Sequence, residues 1–93
     1  MPRAKARHIL VDSPEACQQL LSHLQSGADF AATAKSYSQC ATARHGGDLG
    51  NFSPGQMGDE IDQLVFDGEI GTVLGPVQTK YGYHLVLVTE RTG

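Results

Sequence analysis

Two apolar runs of strand character stand near the two ends of the chain, Arg7-His8-Ile9-Leu10-Val11 and Tyr83-His84-Leu85-Val86-Leu87-Val88-Thr89-Glu90. Strands are not stable alone in water, so whatever lies between these runs has to supply the layer that covers them. The intervening sequence carries helix signals. Asp12-Ser13-Pro14 closes the first run and opens a helix, with Ser13 as N-cap, Pro14 as first helical residue and Glu15 as a first-turn acid that suits the helix dipole. Cys17, Leu20, Leu21 and Leu24 then recur at three- and four-residue intervals until Gly27 stops the pattern, which makes one buried stripe. Asp29 is placed to cap a second helix through about Tyr37, with Phe30, Ala31, Ala34 and Tyr37 on its inner face.

From Ala43 to Gly58 the chain is rich in glycine, too broken for a helix and too apolar for a disordered linker. A short strand around Leu49 to Phe52 inside a tightly turning loop fits that composition. A third helix is predicted from about Asp59 to Phe66, carrying Ile61, Leu64 and Val65, with Gly68 as its end. Gly75-Pro76-Val77-Gln78-Thr79 reads as a strand and Lys80-Tyr81-Gly82 as the turn into the last strand, close enough for a hairpin. The order is β-α-α, a short helical or looped segment with a strand, then α-β-β. That order predicts an α+β fold, a small sheet covered by helices. With 93 residues and 40% hydrophobic content, residues 1–93 form one domain, too short for two cores.

Composition narrows the partners. The net charge is −3 and the basic residues are scattered singly, which argues against nucleic acid. No apolar run approaches the roughly 18 residues that a membrane helix needs, and no apolar segment follows Met1-Pro2-Arg3-Ala4-Lys5 to form a signal peptide. The expectation is a soluble cytoplasmic monomer, unless the chain was cut from a longer exported protein. Cys17 lies among leucines and Cys40 in a polar segment, so a disulfide framework is not indicated and a reducing compartment fits.

Three groups of residues could carry chemistry. His8 and His84 sit inside the two apolar runs, where an imidazole needs a hydrogen-bond partner, and each could supply the other's through a shared proton. Taken alone, two separately satisfied core histidines are the commoner arrangement. Cys40 stands at a helix end followed by small residues, where a thiol can face a cleft, although no protease signature surrounds it. His8, Cys40, His45 and His84 show no chelating spacing, and no metal or other cofactor is expected. Leu49, Phe52, Met57, Ile61 and Phe66 could line an apolar pocket or belong to the core.

Taken together, these pieces resemble the parvulin family of peptidyl-prolyl cis/trans isomerases. Gly47-Asp48-Leu49-Gly50-Asn51-Phe52-Ser53-Pro54-Gly55-Gln56-Met57 looks like the family's G-D-L-G-x-F-x-x-G-Q-M signature. His8-Ile9-Leu10-Val11 precedes it, and Gly75-Pro76-Val77, Thr79 and Gly82-Tyr83-His84 follow like the closing G-P-V-x-T-x-x-G-x-H pattern. The resemblance runs nearly end to end. It implies a four-stranded, mainly antiparallel sheet with flanking helices, parvulin/FKBP-like, and an active cleft over the sheet.

By the same resemblance His8 and His84 match the paired catalytic histidines, Cys40 the cleft cysteine, and Thr79 the hydroxyl that joins their network. Leu49, Gln56, Met57 and Ile61 match the substrate-binding wall, with Phe66 and Tyr81 nearby. Ile61 departs from the pattern, because the family usually has an aromatic ring there. The acidic turn Asp12-Ser13-Pro14-Glu15 replaces the long basic loop of the phospho-specific members. The implied function is non-covalent isomerisation of unphosphorylated Xaa-Pro bonds in extended polypeptides, assisting protein folding. A peptide-binding or chaperone module and a thiol hydrolase using Cys40 and His8 are the alternatives.

Overall fold

The computed structural model describes residues 3–53 and 59–92. The elements are β1 (Arg3–Val11), α1 (Pro14–Gln25), α2 (Phe30–Tyr37), a 3-10 helix (Ala41–His45), β2 (Asp48–Phe52), α3 (Asp59–Asp67), β3 (Val73–Thr79) and β4 (Gly82–Thr92). They build one four-stranded sheet in the order β2-β1-β4-β3, with antiparallel pairing throughout. The α+β architecture is the one expected.

Local chemistry accounts for the helix starts. Ser13 Oγ accepts from the Ala16 amide at 3.0 Å with Pro14 just inside the helix, and the Asp29 carboxylate accepts from the Ala32 amide at 2.9 Å. Strand alternation then divides the core in two. Ile9, Val11 and Leu85 face α1 and α2, where Cys17, Leu20, Leu21, Leu24, Phe30 and Ala34 meet them. Ala4, Ala6, Val86 and Val88 face the other way, onto Ile61 and Val65 of α3.

Two bulges keep the α3 side in phase. Lys5 pairs with Glu90 but Ala6 with Val88, so Thr89 is the extra residue, and its hydroxyl donates to the Lys5 carbonyl at 3.1 Å. The inserted residue brings Arg91, paired with Ala4, onto the α3 side. Its Nη1 donates to the carbonyls of Val65 and Gly68 at 2.9 and 2.6 Å. The α3 helix has no basic residue in its last turn, so Arg91 supplies the cation that its C-terminus lacks. The second bulge lies between Leu74 and Val77, at the cis Gly75-Pro76 bond. Three residues apart, Leu74 and Val77 would point to opposite faces of a regular strand, yet both pack on the α3 cluster.

Some sequence expectations shift. Strand β1 starts at Arg3 rather than Arg7, because the small Ala4 and Ala6 alternate with exposed charged residues and fill the narrow space beside α3. Tyr37 is 58% exposed instead of packed inward, and Thr33 is buried in the α2 face, its hydroxyl donating to the Asp29 carbonyl at 2.8 Å. Ser38 turns to extended geometry at that point, which leaves the terminal ring outside the packed face.

Candidate active site

The imidazoles of His8 and His84 project from the α3 side of the two central strands. Leu10 pairs with His84 and His8 with Val86, so the histidines are diagonal neighbours on one face. Their Nδ1 atoms are 3.2 Å apart and the rings stack at 17° with centroids 5.4 Å apart. Both are buried, at 4% and 5% exposure. Thr79 Oγ1 lies 2.7 Å from His84 Nε2, and Thr42 Oγ1 lies 3.2 Å from His8 Nε2, so a threonine closes each end of a four-residue chain.

The amide of Tyr81 donates to Thr79 Oγ1 at 3.2 Å, which leaves that hydroxyl both its proton and a second lone pair for His84 Nε2. One neutral ring donates its Nδ1–H to the Nδ1 of the other, so the two rings hold opposite tautomers. Either Thr79 donates to His84 and His8 donates to Thr42, or the chain runs the other way, and both directions give every imidazole nitrogen a partner. Burial opposes charge on the pair: it lowers the His8 pKa to about 4, with a smaller contribution from His84, and it lowers that of His84 as well. Both rings are neutral at neutral pH.

Main-chain contacts fix the flanking groups. Strand β2 pairs with β1 only as far as Arg7, and beyond that point the stretch 38–47 completes the edge. The His8 amide donates to the Gly47 carbonyl at 2.9 Å, and the Gln39 amide to the Leu10 carbonyl at 2.7 Å. Ser38 Oγ accepts from the amides of Leu10 and Cys40 at 3.0 and 3.4 Å. Through these bonds Cys40 and Thr42 are held beside the histidines. Gly47 has φ +78°, and a Cβ there would run into the His8 carbonyl, so this approach requires glycine.

Above the histidines opens a cleft of about 520 Å³, within the ~300–1,000 Å³ usual for ligand sites. His8, His84 and Thr79 line it, Leu10, Leu49 and Ile61 add apolar surface, and Cys40 joins the wall. Glu60, Lys80 and Tyr81 complete the described lining. The structure thus brings together seven residues expected from sequence, His8, Cys40, Leu49, Ile61, Thr79, Tyr81 and His84. Phe66 packs against the α3 cluster, as Leu49 does, and is not among the described residues that line the cleft. Gln56 and Met57 lie outside the described residues. Leu10, Thr42, Glu60 and Lys80 were missed. Leu10 was accessible from the two-residue period that His8 begins, whereas Thr42 and the two charged residues carry no local mark. Among the described residues, no group of three or more His, Cys, Asp or Glu is arranged to hold a metal ion.

A neutral histidine pair under an apolar cleft, on this sheet order, defines a class. Residues 8–90 match the Rotamase family, described as the PPIC-type PPIASE domain, and the chain belongs to that family of peptidyl-prolyl isomerases. It is similar to the foldase protein PrsA of Geobacillus sp. (strain WCH70), 42% identical over 97% of this chain and 33% of that relative. The crystal structure of the peptidylprolyl isomerase PrsA from Bacillus anthracis matches with a TM-score of 0.95 and 35% identity, over 99% of this chain and 43% of that one. NmPin, the parvulin of Nitrosopumilus maritimus, matches with a TM-score of 0.84 and 29% identity, over 95% of this chain and 96% of its own. The chain spans about a third of the length of the curated PrsA relatives it matches.

Proposed function

We propose that the domain catalyses cis/trans isomerisation of Xaa-Pro bonds in extended, unphosphorylated polypeptide segments, without a covalent intermediate, and so assists folding. The observation that carries this reading is the neutral, mutually bonded imidazole pair at the foot of an apolar cleft. Amide rotation faces a barrier of roughly 18–20 kcal/mol because resonance is lost in the twisted state. No bond need break. Each ~1.4 kcal/mol by which a site binds the twisted form over the planar isomers is worth about tenfold in rate. Water favours the charge-separated planar amide, so a proline held against Leu10, Leu49 and Ile61 is shifted toward the twisted form by exclusion of solvent. The His8–His84 pair then offers a rigid polar floor of two complementary tautomers, and Cys40 a polarizable thiol for the moving carbonyl.

One observation supports the choice of an unphosphorylated substrate. Ser13 Oγ donates to Glu15 in the turn after β1, so that turn presents an acid rather than a phosphate-binding cluster. The free thiols of Cys17 and Cys40 fit a reducing, cytoplasmic setting, and we propose a monomer there, checked by fractionation and sedimentation.

The test of the non-covalent scheme is isomerisation of a neutral Xaa-Pro peptide by wild type and Cys40→Ser. Retained turnover is expected; complete loss with folding and peptide binding intact overturns it. Ile61, 2% exposed and part of the α3 core cluster, favours a second reading in which the cleft binds chains without turning them over. Peptide binding by wild type with no acceleration of the isomer exchange would establish that second reading.

A further inference from the structure

The cleft carries two charges that the isomerisation chemistry does not use. Glu60 comes from the first turn of α3 and Lys80 from the β3–β4 turn, and both line the same cavity as the histidines. The dipole of α3 accounts for an acid in that turn but not for its place in the cleft wall. Neither side chain makes an ion pair among the described residues; Lys5–Glu90, at 3.5 Å, is elsewhere on the sheet. The Lys80 ammonium sits 5.2 Å from the centre of the Tyr81 ring, which is 70% exposed. That contact parks the cation on an open aromatic surface at the cleft without neutralising it. The α3 wall also has one sign: Asp59, Glu60 and Asp62 fill its first turn, and the helix has no basic residue.

We propose that Glu60 and Lys80 are specificity-determining residues, which select extended segments whose proline has a basic side chain on one flank and an acidic side chain on the other. The inference rests on the isomerase reading of the cleft and adds its substrate class. A segment crossing the cleft meets a negative charge from the first turn of α3 and a positive charge from the β3–β4 turn. A polypeptide has direction, so the two charges also distinguish a segment from its charge-reversed twin. Exposed ion pairs of this kind are worth about two- to fivefold in kcat/KM per contact, and salt screens them.

The experiment compares three peptides of one length and core: a neutral one, one with Glu before and Lys after the proline, and one with the two charges exchanged. Exchange between proline isomers is followed by NMR in wild type, Glu60→Lys, Lys80→Glu and the double variant, at low and high salt. In wild type one charged order is expected to exceed the other by about fivefold or more at low salt, and the ratio should fall toward unity at high salt. Each single variant should collapse that ratio, and the double variant should invert it. Ratios are taken within each protein, so a general change in turnover cancels. Equal kcat/KM for the two orders in wild type, or a preference that survives the double variant, overturns the proposal. Failure of wild type to accelerate the neutral peptide would instead remove the isomerase reading beneath it.

Discussion

Acid should unfold this domain through its histidines before its carboxylates dominate. In the unfolded chain His8 titrates near ~6.5, but burial and the neighbouring His84 hold it at about 4 in the native state. Between those values the unfolded chain binds a proton that the native chain refuses. The stability tied to His8 is therefore complete above the unfolded pKa and is lost as pH falls through that window. The slope is ~1.4 kcal/mol per pH unit, so about 2–3 kcal/mol is gone by pH ~4.5. That is a large share of the ~5–15 kcal/mol of a typical domain. The assay is urea unfolding at pH ~7.5 and ~4.5 for wild type and His8→Asn. Carboxylates titrate in both proteins and cancel in the difference. Wild type should lose about 2–3 kcal/mol more than the variant across this range. Parallel losses in the two proteins, or an NMR titration that places His8 near its ordinary value, would refute the argument from burial.

Replacing Thr79 with valine removes the hydroxyl that partners His84 Nε2; nitrogen-15 NMR should show the tautomer populations of the pair change, with about 1 kcal/mol lost from stability and a fall in kcat/KM. Gly47→Ala forces a Cβ against the His8 carbonyl at positive φ and should cost at least ~1–3 kcal/mol by urea unfolding, whereas Gly27→Ala, strained in φ but with open space around its Cβ, should cost less. Arg91→Met uncaps the C-terminus of α3 and should destabilise by ~1 kcal/mol, raising KM more than it lowers kcat because the Ile61 wall loosens. Ile61→Phe, which restores a ring to the wall, should raise kcat/KM for a neutral peptide; unchanged turnover in a folded variant would show that the ring is not what limits the site.

Helix starts were legible because they are chemistry within four residues of chain: Ser13 and Asp29 bond amides three positions on. The last strand was legible because a long apolar run bounded by a glycine turn has few other uses. The first four residues of β1 were not, since Ala4 and Ala6 have the size a close helix requires rather than the shape a strand prefers. Tyr37 obeyed helical spacing and still lies outside, because the chain leaves α2 there to bond Leu10.

For the site, the motif around Gly47 and the pair His8 and His84 stand in the sequence itself, and with them the family and the candidate polar centre. Which face these groups share is a property of strand pairing: one residue of register change would turn His84 away from His8. The unbroken register from Ala6–Val88 to Val11–Tyr83 sets that phase over long separations in the chain. Thr42 reaches His8 across 34 positions, and Glu60 and Lys80 enter one cleft from unrelated elements. A sequence records such meetings only where a family motif happens to run through them. Elsewhere they arise when the sheet forms and brings distant side chains within hydrogen-bonding or Coulombic reach.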